Sequence, residues 1–271
     1  MAGVVSGNRK GLGMSLFMAG GSLGRGSGPL VIVFILTTLG LSKTWVLIVP
    51  CILLLLGVRL VPAARPSAAE LDLSTARQAF SDQAHPLFVL WCIIAIRVVG
   101  ETGFVTFMPL YLSAQGESLR YAGMAVSVFL LSGIVGTLVG GSIAERIGAR
   151  QTIIYSAIIA VFGMYIGLHA PGLISLAALS VAGLCMMVAH PINLVMAQEL
   201  VPKHASTVSG FMMGVAFAVG GIMVAVIGWV ADQVGLGLTL NAVAAVMFFS
   251  VPFARMLPDL STEALVTGEE H

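Results

Sequence analysis

Arg97 and Glu101 stand one helical turn apart inside the apolar run 86–113, so the first question is what chemistry two opposite charges do there. Residues at i and i+4 share a helical face, so guanidinium and carboxylate can pair. A charge held at mid-bilayer costs about 2.5–3.5 kcal/mol on insertion scales, which makes such residues either functional or locked by a partner. Two readings stand side by side: a locked ion pair, or a pair that meets a substrate or carries a proton. Arg25 lies in another apolar run, where its planar cation can take an anionic group by bidentate contact or partner a polar neighbour on another helix. His190, Pro191 and Asn193 interrupt a third run. A histidine there can relay protons near neutral pH, or it can cap a proline kink. Arg25, Arg97, Glu101, His190 and Asn193 are therefore the expected substrate and proton pathway.

No other catalytic pattern competes. The sequence has no glycine-rich phosphate loop after a strand, no His-Glu-x-x-His pair and no supported Ser/His/Asp set, so neither an enzyme nor a cofactor is expected. Cys51, Cys92 and Cys185 are odd in number and each lies in an apolar run, which reads as packed thiols and not as a disulfide or metal set.

The elements that must position these residues follow from composition. With 58% hydrophobic and 9% charged residues and a mean hydropathy of +1.02, the chain is too apolar for water to be its main solvent. The net charge is +1 and the basic residues are scattered, so nucleic acid is not an expected partner. A spanning helix needs about 20 apolar residues. Eight stretches qualify, near 12–37, 43–62, 86–113, 121–143, 151–168, 171–195, 207–231 and 236–257. The fold class is thus an all-α membrane protein with eight transmembrane helices.

The polar stretch 63–85 separates two helices (1–62) from six (86–258), with a tail over 259–271. Its 67–73 run reads as a solvated linker or as an amphipathic interfacial helix. Nine basic residues, among them Arg9, Arg65, Arg146, Arg150 and Lys203, fall on one side of the spans, against Lys43 and Arg120 on the other. That bias places both termini in the cytoplasm of a multi-pass protein of the plasma (inner) membrane. Residues 1–10 carry no apolar core before a cleavage site, so no secretory signal peptide is expected.

Two small-residue faces are expected to bring helices close: Gly20, Gly24 and Gly28, ahead of Pro29, in the first segment, and Ser132, Gly136 and Gly140 in the fourth. The first and seventh segments also match without gaps at an offset of 194, aligning Ser15, Phe17, Met18, Gly20 and Gly26 with Ser209, Phe211, Met212, Gly214 and Gly220. Equivalent helices of this kind belong to a two-halved transporter.

At the end of the fourth segment, Gly141, Glu145, Arg146, Gly148 and Arg150 form a charged turn that resembles motif A of the major facilitator superfamily, with Glu where Asp is usual and Ala149 where a second base is common. The stretches 7–21 with Gly28-Pro29, 106–112, and 197–202 followed by 208–211 and Gly220-Gly221 are similar to the branch of fosmidomycin-resistance exporters. In that register the eight segments correspond to helices five to twelve, helices one to four are not represented, and 63–85 is the central cytoplasmic loop. The resemblance implies proton-coupled efflux of small drug-like or anionic compounds by alternating access, with the motif A copy bracing a cytoplasmic gate and Glu145 facing the first helix near Gly11. The alternatives are a truncated, non-transporting membrane fragment or partner protein, and a metabolite uptake symporter. Expected partners are the lipid bilayer, a small-molecule substrate and protons.

Overall fold

The computed structural model describes residues 10–38, 40–48, 52 and 81–257; within the first helix the side chains up to Gly20, and those of Ser22 and Arg25, lie outside the description. Among the described residues every regular element is helical. Helix α1 (Lys10–Thr38) leads to a 3-10 turn (Leu41–Leu47), and α2 (Ala84–Ala114), α3 (Leu119–Ile147), α4 (Ala149–His169), α5 (Gly172–Leu200) and α6 (Ala205–Val234) follow. The last segment is α7 (Leu236–Val246), a 3-10 turn (Met247–Phe249) and α8 (Ser250–Arg255). Helix is the form that satisfies every backbone N–H and C=O within one segment, as a lipid environment demands.

Among the described residues six helices are long and apolar enough to cross a membrane: α2, α3, α4, α5, α6 with the turn before it, and the α7–α8 segment. They coincide with the six spans expected between 86 and 257. The expected span at 12–37 falls on α1, within which Gly26–Thr38 is an apolar helical stretch among the described residues. The one at 43–62, the linker 63–80 and the tail fall mainly outside the described residues.

Glycine sets both shortest connections. Gly148 alone joins α3 to α4 at φ 90° and ψ 144°, and Gly235 alone joins α6 to α7 at φ 89° and ψ 152°, a backbone region open essentially to glycine. Each turn is closed the same way. The N–H of Gly148 donates to the Ala144 carbonyl at 2.9 Å, and that of Gly235 to Ala231 at 2.9 Å. Thr152 and Thr239 each donate a hydroxyl back to the glycine carbonyl, at 2.8 and 2.9 Å.

Those two turns reveal a repeat of three helices. Shifted by the separation of Gly148 and Gly235, α2, α3 and α4 fall on α5, α6 and the α7–α8 segment to within a residue or two at each end. An odd number of helices per copy makes the second copy enter from the opposite side, so the repeat is inverted. The bounds of α1 likewise fall on those of α6 at the offset of 194.

Packing differs between the equivalent pairs. Helices α3 and α5 run in the same direction and touch backbone to backbone: a Cβ on Gly136 would strike the Leu184 carbonyl, one on Gly140 that of Val188, and one on Gly183 that of Phe129. The related pair, α2 with α6, meets through side chains, Gly220 facing Val98 and Thr102. Two apolar cores fill the bundle. One gathers Leu90, Ile93, Ile153, Met196 and Met212, and the other Phe104, Phe129, Met164, Leu179 and Met186. Small and polar residues are buried with them, among them Gly100, Glu101, Gly133, Thr137 and Ser156.

Substituting Gly183→Ala should destabilise the bundle by about 1–3 kcal/mol through overpacking, and Gly148→Ala by a similar ~1–3 kcal/mol of backbone strain. Gly214, with open space around it, should accept alanine with no loss and a gain of up to about 1 kcal/mol. Unfolding in detergent followed by circular dichroism checks all three.

Candidate functional site

Helix α2 carries Arg97 into the interior, where its side chain is 0% exposed. The guanidinium Nη2 donates to the carbonyls of Cys185 at 2.7 Å and Met186 at 2.8 Å on α5. A helical carbonyl that already accepts its i+4 N–H keeps a second lone pair, which is what a buried cation can use. Glu101, also fully buried, lies close enough for its charge to act on Arg97. The i, i+4 spacing thus delivers a shared face, and that face points into the bundle. Nε and Nη1 of Arg97 donate to no acceptor among the described residues.

His190 and Asn193 lie further along α5, 8% and 0% exposed, on either side of Pro191. Proline lacks an N–H and leaves the carbonyl four residues before it, that of Met187, without its helical donor. The Arg97 contacts at Cys185 and Met186 fall immediately before that break. Neither amide atom of Asn193 has a hydrogen-bond partner among the described residues, and the same holds for the hydroxyl of Ser127, fully enclosed on α3. Arg97 therefore meets α5 about two turns before Asn193.

The charged turn is a separate place. Gly141, Glu145 and Arg146 are exposed at the end of α3, Gly148 makes the one-residue link, and Arg150 is half-buried at the start of α4. The expected brace between Glu145 and the first helix near Gly11 falls outside the described side chains, as does the side chain of Arg25 within α1.

In α1, a Cβ at Gly24 or Gly28 would meet nothing within 4 Å. Gly20 lies outside the described side chains, Pro29 is half-buried, and the glycine that packs is Gly26, against Leu131 of α3. On α3, Gly136 and Gly140 both face α5 closely, joined by Gly133 against Met187, while Ser132 donates to Phe129 O at 2.9 Å beside Gly183.

Sequence reasoning missed the carbonyls that hold Arg97, since backbone acceptors leave no residue signature. It also missed Ser127, Gly133 and Gly183. A Gly133-x-x-Gly136-x-x-x-Gly140 reading was the available signal for one of them.

Parallel and antiparallel apolar helices, an inverted three-helix repeat and a buried arginine and glutamate enclosed between them define a polytopic helical membrane protein. The profile of the Major Facilitator Superfamily matches residues 1–225. The chain belongs to that superfamily. It is 27% identical over 268 residues to a Bacillus subtilis (strain 168) protein described as the uncharacterized MFS-type transporter YfnC, covering 95% of this chain and 65% of that one. It is also 27% identical over 259 residues to the fosmidomycin resistance protein of Escherichia coli (strain K12), covering 90% and 62%. The chain thus spans less than two thirds of the length of either relative.

Arg97→Leu and Glu101→Leu should each destabilise by about 3–5 kcal/mol, because each leaves the other charge buried without its partner. The double variant should be less destabilised than either single one. A double-mutant cycle of detergent unfolding measures the difference, and strict additivity would disprove the pairing.

Proposed function

We propose that the chain works as a proton-coupled exporter of small drug-like or anionic compounds, moving by alternating access in a two-halved bundle. Its eight expected spans take the places of helices five to twelve, with both termini on the cytoplasmic side of the inner membrane. The observation that carries the reading is the enclosed Arg97–Glu101 pair on α2, tied to α5 by two carbonyl contacts. A protonated Glu101 no longer offsets the Arg97 charge, so the grip of α2 on α5 depends on protonation, which is the coupling an antiporter needs. His190 and Asn193, enclosed beside Pro191, extend the pathway along α5, and Arg25 supplies a cation on α1. The similarity to a fosmidomycin resistance protein supports a small anionic cargo. The exposed turn of Gly141, Glu145, Arg146, Gly148 and Arg150 serves as the cytoplasmic gate.

A second reading, a fragment or membrane partner that does not transport alone, draws support from the chain's spanning 65% and 62% of its two relatives.

In proteoliposomes with an imposed proton gradient, Glu101→Gln should reduce proton-driven fosmidomycin movement at least about tenfold, a loss of 1.4 kcal/mol or more in coupling. Glu145→Gln should leave binding intact and shift the inward/outward balance, read by cysteine accessibility on either side of the membrane. Uptake in place of efflux would mark a symporter. No proton or substrate flux from this chain would favour the second reading.

A further inference from the structure

The charged turn at Gly148 has a copy on the other face of the bundle. Shifted by the separation of Gly148 and Gly235, Gly141, Ala144, Glu145, Gly148 and Thr152 fall on Gly228, Ala231, Asp232, Gly235 and Thr239. The glycine conformation, the closing N–H bond and the threonine hydroxyl bond agree in both. Burial follows the same order, with the alanine buried and the acid and the two residues after it exposed. Helices α4, α5 and α6 lie between the two turns, which puts them on opposite faces. What differs is the bases. Arg146 and Arg150 fall on Gln233 and Gly237, while the acid stays. In the orientation proposed above Asp232 faces outward, where loops carry fewer bases.

Each acid stands in the last turn of its helix, where the negative end of the macrodipole opposes it. The last turn of α6 holds no base, and Asp232 makes no hydrogen bond or ion pair among the described residues. What attracts such an acid is the start of a facing helix, with its free N–H groups and positive dipole end. Helix α1 shows that alignment. It runs antiparallel to α3, with Val33 against Gly123 and Gly26 against Leu131, so the end of α1 is level with the start of α3. At the offset of 194, Thr38 at that end falls on Asp232.

The α2–α6 interface shows that the Asp232 end is the closed one. A Cβ on Gly103 would strike Ile227, and Gly228 and Gly237 face Phe107 and Tyr111 closely. At the other end the two helices part, and a cavity of about 380 Å³, lined by Phe88, Trp91, Phe211 and Met212 among others, opens between their first turns.

We infer that Asp232 is the acid of a second gate, on the face opposite the charged turn, where it braces the start of a helix of the other half while that face is closed. The inference rests on the exporter reading, which makes Glu145 the brace of the first gate. The two acids then act in opposition: removing either charge favours opening on its own side and closure on the other.

The test uses the whole chain in phosphatidylcholine nanodiscs, where both faces meet the reagent, with Cys51, Cys92 and Cys185 replaced by alanine. One reporter is Ser127→Cys, about two turns in from the start of α3 on the Asp232 face. The other is Asn193→Cys, about two turns in from the end of α5 on the Glu145 face. Both positions are 0% exposed, so a sulfonated maleimide labels them only when their side opens. Asp232→Asn should speed labelling at position 127 at least about threefold and slow it at 193, since the rate follows the open fraction. Glu145→Gln should do the reverse. Asp232→Glu, which keeps the charge, and Gln233→Ala, its exposed neighbour, should label like the parent. Indifference of both rates to Asp232→Asn, with Glu145→Gln effective, overturns the second gate and leaves the exporter reading intact. The converse result supports Asp232 and defeats the gate assigned to Glu145. Shifts in the same direction, or an equal effect of Asp232→Glu or Gln233→Ala, would make the turn's packing the cause and overturn the proposal.

Discussion

A guanidinium that cannot be deprotonated sits where no water reaches it, and the interior is arranged around answering that charge. Arg97 takes two carbonyl oxygens of α5 and the charge of Glu101. Carbonyls of a neighbouring helix are available only if that helix comes close and stays in register. A rotation of α5 about its own axis would turn both acceptors away. The requirement therefore passes from one side chain to the packing of the helices behind it.

Glycines meet that requirement on the far side of α5. Gly133, Gly136 and Gly140 of α3, with Gly183 of α5 itself, let two backbones approach until any added Cβ would collide with a carbonyl or a side chain. In lipid, helices gain little from hiding apolar surface, so van der Waals contact at this range supplies the adhesion. The related pair, α2 with α6, has side chains between its backbones. Of the two equivalent interfaces between the copies, one is thus interlocked and the other cushioned. An inverted repeat whose two related interfaces pack differently leaves one stiff while the other adjusts, and the cushioned interface is also where the α2–α6 cavity lies.

Much of the fold was legible in residue order. The six spans between 86 and 257 appear with ends moved by a few residues, because apolar length and the glycine punctuation at 148 and 235 act locally. The charged turn 141–150 was legible for the same reason. The glycine faces were legible only by half. Gly136 and Gly140 pack closely, whereas Gly24 and Gly28 face open space and Gly26 makes the contact of α1. Spacing shows that glycines share a face. It does not show what that face meets.

The sequence alone determined that this chain belongs in a membrane, how long its helices are, where they turn, and that Arg97 and Glu101 share a face, since hydropathy, helical period and glycine conformation are properties of a segment by itself. Tertiary structure decided that this face turns inward to α5, that backbone carbonyls hold the guanidinium, and that Trp91 borders a cavity beside α6. Those outcomes depend on which neighbours occupy the surrounding space. Contacts between residues some 88 positions apart leave no trace in local spacing, and a carbonyl oxygen is the same atom in every residue.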